Sequence, residues 1–288
     1  MPTGLPPRED TYFIDPEDAT EMARLLLQGR LISQNMGSLL PEGIELEKVH
    51  DVLDMACGPG GWAIDVAFKY PDMQVMGVDI SQQMIAYASS LARVQRLENT
   101  SFKVMNLLKP LEFAERSLDV VNGRLLMSFM PRTAWTELVQ ECMRILRPGG
   151  IIRLTEADNF GITNAPAYEK LNRLMVEAMY KAGQTFLPGR DTFGVVPMLG
   201  AFLRQAGYIN IQHKAHVVDF SFDMEAHDGW YQNFTISFQL LQPFLVKMKV
   251  TTPEEVDQLY HQAREEMVKP EFRAVWFYLS VWGEKVEE

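Results

Sequence analysis

Short apolar runs alternate with longer segments of helical periodicity between residues 49 and 157, and this alternation restricts the fold more than any other feature of the chain. The apolar runs cover residues 49–56, 74–80, 101–106, 118–126 and 151–157. The helical segments lie near residues 62–70, 82–95 and 133–146. Short apolar strands that alternate with helices form a parallel sheet covered on both faces. The sequence therefore predicts an α/β fold with a doubly wound, mostly parallel, Rossmann-like sheet.

The sequence on either side of this region predicts the remaining strands and a helical cap. Two more apolar runs, at residues 209–222 and 272–282, bring the predicted sheet to seven strands, and the helices between them suit a reversed edge strand. Asp15 followed by Pro16 is a helix-start signal. The predicted divisions are a flexible leader (1–14), an N-terminal cap helix (15–47), a Rossmann-like core (48–222) with an insertion at about 158–190, a helical cap insertion (223–270), and a last strand with its tail (271–288).

Composition and charge restrict the partners. The 288 residues carry a net charge of −11, which repels a phosphate backbone. No apolar run approaches the roughly 20 residues that a membrane helix needs, and the leader lacks the apolar core of a signal peptide. Cys57 and Cys142 lie in different predicted elements without metal-ligand spacing. We therefore expect a cytoplasmic monomer or homodimer that acts on a small molecule, without a metal, membrane or nucleic-acid partner.

A glycine-rich loop follows the first predicted strand and leads into the first helix of the alternating region. Residues 58–63 read Gly-Pro-Gly-Gly-Trp-Ala, which fits the G-x-G-x-x-A pattern of cofactor-binding loops. Because glycine has no Cβ, backbone N–H groups can come close to a bound ligand there. Asp79 ends the next strand about 20 residues later, where a carboxylate accepts hydrogen bonds from ribose hydroxyls. Together these features predict a nucleoside-cofactor site, although NAD(P)-dependent oxidoreductases share the glycine spacing.

Motifs that follow one another in order along residues 49–157 carry a family resemblance. They are Asp54-x-Ala56-x-Gly58-x-Gly60, Gly77-Val78-Asp79-Ile80-Ser81, Asn106, Leu118-Asp119-Val120-Val121 with Arg124-Leu125-Leu126, and Leu146-Arg147-Pro148-Gly149-Gly150. The set resembles the class I S-adenosylmethionine-dependent methyltransferases, in particular their quinone-biosynthesis-like, small-molecule branch. Asp54 before the loop and the turn at 146–150 favour this family over the oxidoreductases, whose fingerprint requires neither.

The resemblance implies residue roles toward S-adenosylmethionine, with S-adenosylhomocysteine as the product. The methionine end of the cofactor would contact Asp54, Ala56, Gly58 and Gly60. Asp79 would bind the ribose hydroxyls, and the adenine would contact Ile80, Met84 and Asn106. Cys57 and Leu107 are further expected cofactor contacts. Arg124 would begin the segment beside the sulfonium. Ala56 stands where the family usually has glycine, and Asn106 where aspartate is common. Because an amide both donates and accepts hydrogen bonds, we expect cofactor binding to survive the second change.

The predicted reaction is a direct displacement that methylates O, N or C of a small, apolar or aromatic acceptor. Aromatic residues of the cap and an acid after the fifth strand are candidates to line the acceptor site: Tyr12, Asp158, Phe160, Trp230 and Phe234. Candidate bases are His216 and the neighbouring pair His227-Asp228.

Several alternatives stay open at this point. The histidines can be packing residues, and the acids Glu156 and Asp158 can be solvated or cap a helix. The aromatic helix at 230–248 can be ordinary packing or a dimer face. At the level of function, the chain can use the same cofactor for a rearrangement or elimination, or be a binding domain without catalysis.

Overall fold

The computed structural model describes residues 12–15, 18–187 and 191–287 of the chain. The strands are β1 (Asp51–Met55), β2 (Gln74–Asp79), β3 (Thr100–Val104), β4 (Leu118–Arg124), β5 (Leu146–Ala157), β6 (Ile162–Thr163), β7 (Ile209–Asp219) and β8 (Ala274–Glu284). The helices are α1 (Ala19–Met36), α2 (Gly61–Lys69), α3 (Gln82–Val94), α4 (Trp135–Ile145), α5 (Pro166–Lys181), α6 (Val196–Ala206), α7 (His227–Lys247) and α8 (Pro253–Met267). Residues 1–11 of the predicted leader and residues 188–190 of the predicted insertion lie outside the described residues.

The strands form one sheet in the order β3-β2-β1-β4-β5-β8, with β7 on the far side of β8. Strands β1 to β5 pair in parallel, whereas β8 runs antiparallel to both β5 and β7. The prediction of an α/β fold with a doubly wound, mostly parallel sheet is confirmed. The expected position of the reversed strand is wrong, because β8 lies inside the sheet and β7 forms the edge. An eighth strand, β6, adds a two-residue pairing with the start of β8.

The cap is built from α1 and from helices of the last third of the chain. Helix α1 packs on α7, α7 packs on α8, and α8 packs on α5. The expected helix start at Asp15 includes residues 16 and 17, which lie outside the described residues; within the described residues, α1 begins at Ala19, with Asp18 as its N-cap. The Asp18 carboxylate accepts hydrogen bonds from the backbone N–H of Thr20 at 2.6 Å and of Glu21 at 3.3 Å. The helix ends at Met36, well before residue 47.

The turn at residues 146–150 lies at the amino ends of the strands. Helix α4 ends at Ile145, and β5 begins directly at Leu146. The Arg147 guanidinium donates to Asp119 Oδ1 and to Asp51 Oδ2, both at 2.7 Å. This motif therefore links β1, β4 and β5 at the amino ends of the strands. Ligands of open α/β folds bind at the opposite end of the sheet, at the carboxyl ends of the strands. Within the described ranges, none of the helices combines the length and hydropathy needed to cross a bilayer.

Candidate cofactor and acceptor site

A cavity of about 190 Å³ lies at the carboxyl ends of the strands, beneath α1 and α7. One half of its wall comes from the ends of β1, β2 and β4 and from the residues after β3. Almost all of the predicted cofactor contacts line this half, namely Asp54, Ala56, Cys57, Gly58, Asp79, Ile80, Met84, Asn106, Leu107 and Arg124. The motifs that follow β1, β2, β3 and β4 in the sequence thus lie together around one cavity.

The loop after β1 turns sharply because three of its residues have left-handed backbone conformations. Ala56 has φ +50°, Gly58 has φ +52° and Gly60 has φ +82°, a region that glycine enters without steric cost. The loop is fastened to β2, since the Cys57 N–H donates to the Val78 carbonyl at 2.9 Å. Burial beside two carboxylates raises the pKa of the Cys57 thiol, so this thiol stays protonated and unreactive.

Asp79 joins this loop to the start of α3. Its Oδ2 accepts the Gly58 N–H and its Oδ1 accepts the Ser81 N–H, both at 2.9 Å. Ser81 in turn caps α3 by accepting the Met84 N–H at 3.2 Å. One carboxylate therefore holds the glycine loop, the end of β2 and the helix that carries Met84 in register around the cavity.

Asp54 is a buried carboxylate in the cavity wall, with 3% of its surface exposed. Its Oδ1 accepts a hydrogen bond from Asn122 Nδ2 at 2.7 Å. Burial raises the pKa of Asp54 to about 6, although the positive charge of Arg124 and the Asn122 hydrogen bond act in the opposite direction. Asp54 is therefore mainly a carboxylate at pH 7, but it titrates close to neutrality.

Gly60 was predicted to contact the cofactor, but it is not among the described residues that line the cavity. Its φ is +82°, and a Cβ placed on it would lie 2.7 Å from the Ala88 Cβ and 2.8 Å from the Phe102 ring. Real Cβ atoms do not approach neighbours so closely. Gly60 is therefore needed for the packing of the loop against α3 and β3.

The second half of the cavity is apolar and aromatic. Of the predicted acceptor contacts, Tyr12, Phe160 and Phe234 line it, and the Phe160 and Phe234 rings lie 6.1 Å apart. Further aromatic and aliphatic residues complete this wall: Phe13, Leu125, Met127, Phe129, Phe193, Leu241 and Trp276. Within α7, Phe234, Ser237 and Leu241 line the cavity, so helical spacing from Phe234 is the one sequence signal that indicates part of this set.

A buried polar cluster closes the end of the cavity formed by α1. Tyr12 donates its hydroxyl to Glu21 Oε1 at 2.5 Å, and Arg24 makes two bonds of 2.7 Å to the same carboxylate. Arg24 also donates to Asn233 Oδ1 of α7 at 3.1 Å. Burial beside Glu21 raises the pKa of Tyr12. The cluster ties the segment before α1, α1 itself and α7 together, and its phenol stays protonated.

The turn after β4 brings acceptor-side residues to the cavity. Leu125 has a left-handed backbone with φ +54°, and its N–H donates to the Thr155 carbonyl at 2.9 Å. Glu156, which is fully buried, accepts the N–H groups of Leu126 at 2.7 Å and Met127 at 3.3 Å. This acid therefore supports the backbone of the turn that presents Leu125, Met127 and Ser128 to the cavity.

Residues 52–150 match a family model described as a methyltransferase domain, and the match spans the strands and loops that form the cofactor half of the cavity. This segment is similar to the class I S-adenosylmethionine-dependent methyltransferases, the family that the motifs resemble. The alternative of an NAD(P)-dependent oxidoreductase is not favoured by this match. Among the described residues, no His, Cys, Asp and Glu side chains gather in a group that could hold a metal ion.

The chain is also similar to curated relatives and to a solved structure. It is 25% identical over 175 residues to methyltransferase str2 of Strobilurus tenacellus, which covers 59% of this chain and 60% of the relative. It is 24% identical over 178 residues to demethylmenaquinone methyltransferase of Lactococcus lactis, with 57% and 68% covered. The chain thus matches only about three-fifths to two-thirds of their lengths. Phosphoethanolamine N-methyltransferase 2 of Haemonchus contortus, solved with S-adenosyl-L-methionine, shares the fold at a TM-score of 0.57 and 17% identity, covering 100% of this chain and 62% of its own.

Two predicted acceptor contacts lie outside the described cavity lining. Trp230 is buried against Trp276, with ring centroids 4.8 Å apart, and is not among the described residues that line the cavity. Asp158 does not line it either, because its Oδ1 accepts the Val196 N–H at 3.1 Å, at the start of α6. Asp158 therefore caps a helix, one of the alternatives that the sequence left open.

The predicted bases also lie outside the described cavity lining. His227 is buried and its Nδ1 donates to the Phe220 carbonyl at 3.0 Å, whereas Asp228 is exposed. His216 stacks on Tyr278 and lies 3.0 Å from the Ser280 hydroxyl. Burial and nearby Lys214 lower the pKa of His216 to about 4, so this ring is neutral. The structure therefore does not bring any of the three candidates to the cavity.

The alternative that the aromatic helix forms a dimer face is also answered. The apolar stripe of α7 is at most 2% exposed in the single chain and consists of Trp230, Phe234, Phe238, Leu241 and Leu245. Phe238 packs on Tyr168 with ring centroids 5.0 Å apart. The stripe is therefore core packing, and only part of it reaches the cavity.

Proposed function

We propose that this methyltransferase transfers the methyl group of S-adenosylmethionine to a small, apolar or aromatic acceptor. The observation that carries the proposal is one continuous cavity whose polar half holds Asp54, Asp79 and Asn106 and whose other half holds Phe160 and Phe234. The names of the curated relatives str2 and demethylmenaquinone methyltransferase, both methyltransferases, support transfer over a rearrangement or elimination. The two free cysteines, Cys57 and Cys142, support a reducing, cytoplasmic setting.

The side chains of the polar half fit the cofactor group by group. Asp54 is a buried carboxylate suited to the ammonium of the methionine end, beside the left-handed loop of Ala56, Cys57 and Gly58. Asp79 is an acceptor suited to both ribose hydroxyls. Ile80, Met84 and Leu107 provide an apolar slot for adenine, and Asn106 provides an amide for its edge.

The protein's part in the reaction is to position the acceptor and to exclude water. The bound cofactor supplies an electrophilic methyl group on a sulfonium. Alignment of reacting groups can contribute about 7–11 kcal/mol to lowering the barrier. The aromatic half of the cavity excludes water and holds an apolar acceptor on the side of Arg124 and Leu125.

Once Asp54 is paired with the cofactor ammonium, the described residues of the cavity include no further side chain suited to remove a proton from the acceptor. The cavity's ionisable lining groups, within the described residues, are Tyr12, Arg24, Asp54, Cys57, Asp79 and Arg124. Tyr12 donates to Glu21, and Asp79 is held by two backbone N–H groups. The geometry thus favours a carbon, an amine or an already ionised oxygen as nucleophile, for which no protein base is required.

Incubation with methyl-labelled cofactor and a panel of phenols, amines and quinone precursors tests the proposal. Label in an isolated product supports methyl transfer. An altered but unlabelled product indicates a rearrangement or elimination, and a bound cofactor with no product from any acceptor contradicts the proposed acceptor class. A reaction rate that increases with the ionised fraction of a phenol would show that the acceptor supplies its own nucleophile.

Asn106→Ala is expected to weaken S-adenosylhomocysteine binding by about tenfold, measured by calorimetry, which corresponds to the loss of about 1.4 kcal/mol. Asn106 Oδ1 already accepts the Leu108 N–H at 2.9 Å, so the variant loses this turn and the amide donor together. Asn106→Asp keeps an acceptor for Leu108 and for the adenine amine, so its affinity should stay within about threefold of the wild type. An unchanged affinity in Asn106→Ala would show that the assignment of Asn106 to the adenine is wrong.

Phe234→Leu is expected to raise the KM for an identified acceptor by about tenfold while the cofactor Kd stays unchanged, because an aromatic wall of the acceptor half is lost. Phe238→Leu is the matched control, since Phe238 is equally buried on α7 but is not in the described cavity lining. Both variants should lower the melting temperature. If both raise the acceptor KM equally, the effect comes from helix packing and the acceptor does not lie against Phe234.

A further inference from the structure

We propose that Arg153 of β5 is a positioning residue that holds Asp54 in its cofactor-binding form through the side chain of Asn122. Arg153 Nε donates to Asn122 Oδ1 at 2.8 Å, and Asn122 Nδ2 donates to Asp54 Oδ1 at 2.7 Å. These three residues form an unbroken line across β5, β4 and β1 behind the cofactor half of the cavity. The inference rests on the proposed role of Asp54.

Burial of the Arg153 guanidinium costs desolvation free energy, which argues against a role in packing alone. The residue is 2% exposed, and its hydrogen-bond partners within the described residues, Asn122 and the Leu39 carbonyl, are both uncharged. Its guanidinium carbon lies 5.5 Å from the Trp62 ring, a cation–π contact that offsets part of the desolvation. A buried cation without a directly bonded carboxylate destabilises a fold unless a nearby charge compensates it. Asp54, one amide away, supplies that charge.

The arginine also decides which way the Asn122 amide faces. A guanidinium has only donors, so it requires the amide oxygen of Asn122 on its own side. The Nδ2 group is thereby directed to Asp54, where it donates to the carboxylate. The hydrogen bond from Asn122 Nδ2 stabilises the ionised carboxylate of Asp54 more than its protonated form. Arg153 therefore favours the charged form of Asp54 both by its charge and by the orientation of Asn122.

The charged and titratable groups around Asp54 come from several elements. Arg124 of β4 and Arg153 of β5 favour its ionised form, and Asp79 of β2 opposes it. Cys57 lies in the same wall, and its raised pKa keeps the thiol neutral. Burial and the charge of Asp79 raise the pKa of Asp54, and Arg153 is one of the groups that lower it. Removal of Arg153 therefore raises the pKa of Asp54 above its value of about 6. Since the cofactor ammonium binds the carboxylate, affinity is present above this pKa and is lost as the pH falls through it.

The test is the S-adenosylhomocysteine Kd measured by calorimetry from pH 5.5 to 8.5. For an upward shift of about one pH unit, Arg153→Gln should weaken binding about eightfold at pH 5.5 and about threefold at pH 6.5, with no change at pH 8.5. Arg153→Lys keeps the charge, so the pH midpoint should stay near that of the wild type. A weakening of equal size at every pH would show that Arg153 is merely structural and would overturn the inference.

Two further variants separate the possible failures. Asn122→Ala removes the intermediate amide and keeps the guanidinium, so it should raise the midpoint even if Arg153→Gln does not fold. An unmoved midpoint in Asn122→Ala overturns the inference. Asp54→Asn should abolish the pH dependence between 5.5 and 8.5. If Asp54→Asn instead leaves the affinity and its pH profile unchanged, the proposed role of Asp54 is wrong and the inference fails with it.

Discussion

Asp79→Ala is expected to weaken S-adenosylhomocysteine binding by about 100-fold, measured by calorimetry. This carboxylate is proposed to accept the ribose hydroxyls, and it also holds the Gly58 and Ser81 N–H groups at 2.9 Å. Loss of hydrogen bonds to a charged group costs about 1.5–3 kcal/mol, and about 2.7 kcal/mol corresponds to 100-fold in affinity. The variant therefore loses both a ligand contact and the register of the glycine loop.

Asp119→Ala is the matched control for this result. Asp119 Oδ2 likewise accepts two backbone N–H groups, those of His50 and Asp51, both at 2.8 Å. It lies at the amino ends of the strands and is not among the described cavity residues. We expect its variant to lose stability but to keep the cofactor affinity of the wild type. Comparable loss of affinity in both variants would mean that Asp79 acts only by holding the backbone.

Gly60→Ala is expected to lower the free energy of unfolding by about 2–5 kcal/mol in urea denaturation. The left-handed backbone of a residue with a side chain costs about 1–2 kcal/mol, and an added atom in a packed site costs about 1–3 kcal/mol more. Here the added Cβ would lie 2.7 Å from the Ala88 Cβ, an atom that can move only with its helix. The protein therefore has to shift either the loop or α3.

Gly37→Ala separates the two contributions. Gly37 has φ +71° at the end of α1, and no heavy atom lies within 4 Å of a Cβ built there. This variant should cost only the backbone term, about 1–2 kcal/mol. Equal destabilisation of both variants would show that the contact of residue 60 with Ala88 and Phe102 is relieved without cost.

The cofactor half of the site could be predicted from sequence because each of its parts is local. The loop that needs positive φ at Gly58, the carboxylate that ends β2 at Asp79 and the residue that follows β3 at Asn106 are each recognisable within a few positions. Parallel strands then place all their carboxyl ends at one edge, so no long-range knowledge is needed to bring the parts together. Gly60 is the exception, because the sequence motif does not distinguish a glycine required for packing from one required for ligand contact.

The acceptor half could be predicted only in part, because its wall comes from segments far apart in the chain. Tyr12, Phe160, Phe234 and Trp276 meet only when the reversed strand β8 enters the sheet and α7 crosses above it. Trp230 and Phe234 lie one helical turn apart, yet one packs on Trp276 and the other lines the cavity. His227 fits a base in sequence, but burial against the Phe220 carbonyl removes it from the site.

The sequence by itself determined the parallel α/β core, the residues of the cofactor half of the cavity and the family resemblance, because these depend on periodicity and backbone geometry over short stretches. Only the tertiary structure decided the acceptor wall, the absence of the predicted histidines from it and the line from Arg153 to Asp54. The physical reason is that the packing of helices and strands against one another determines which side chains are buried and which polar groups they contact. For Arg153, an apolar strand pattern concealed a buried cation whose partner is two strands away.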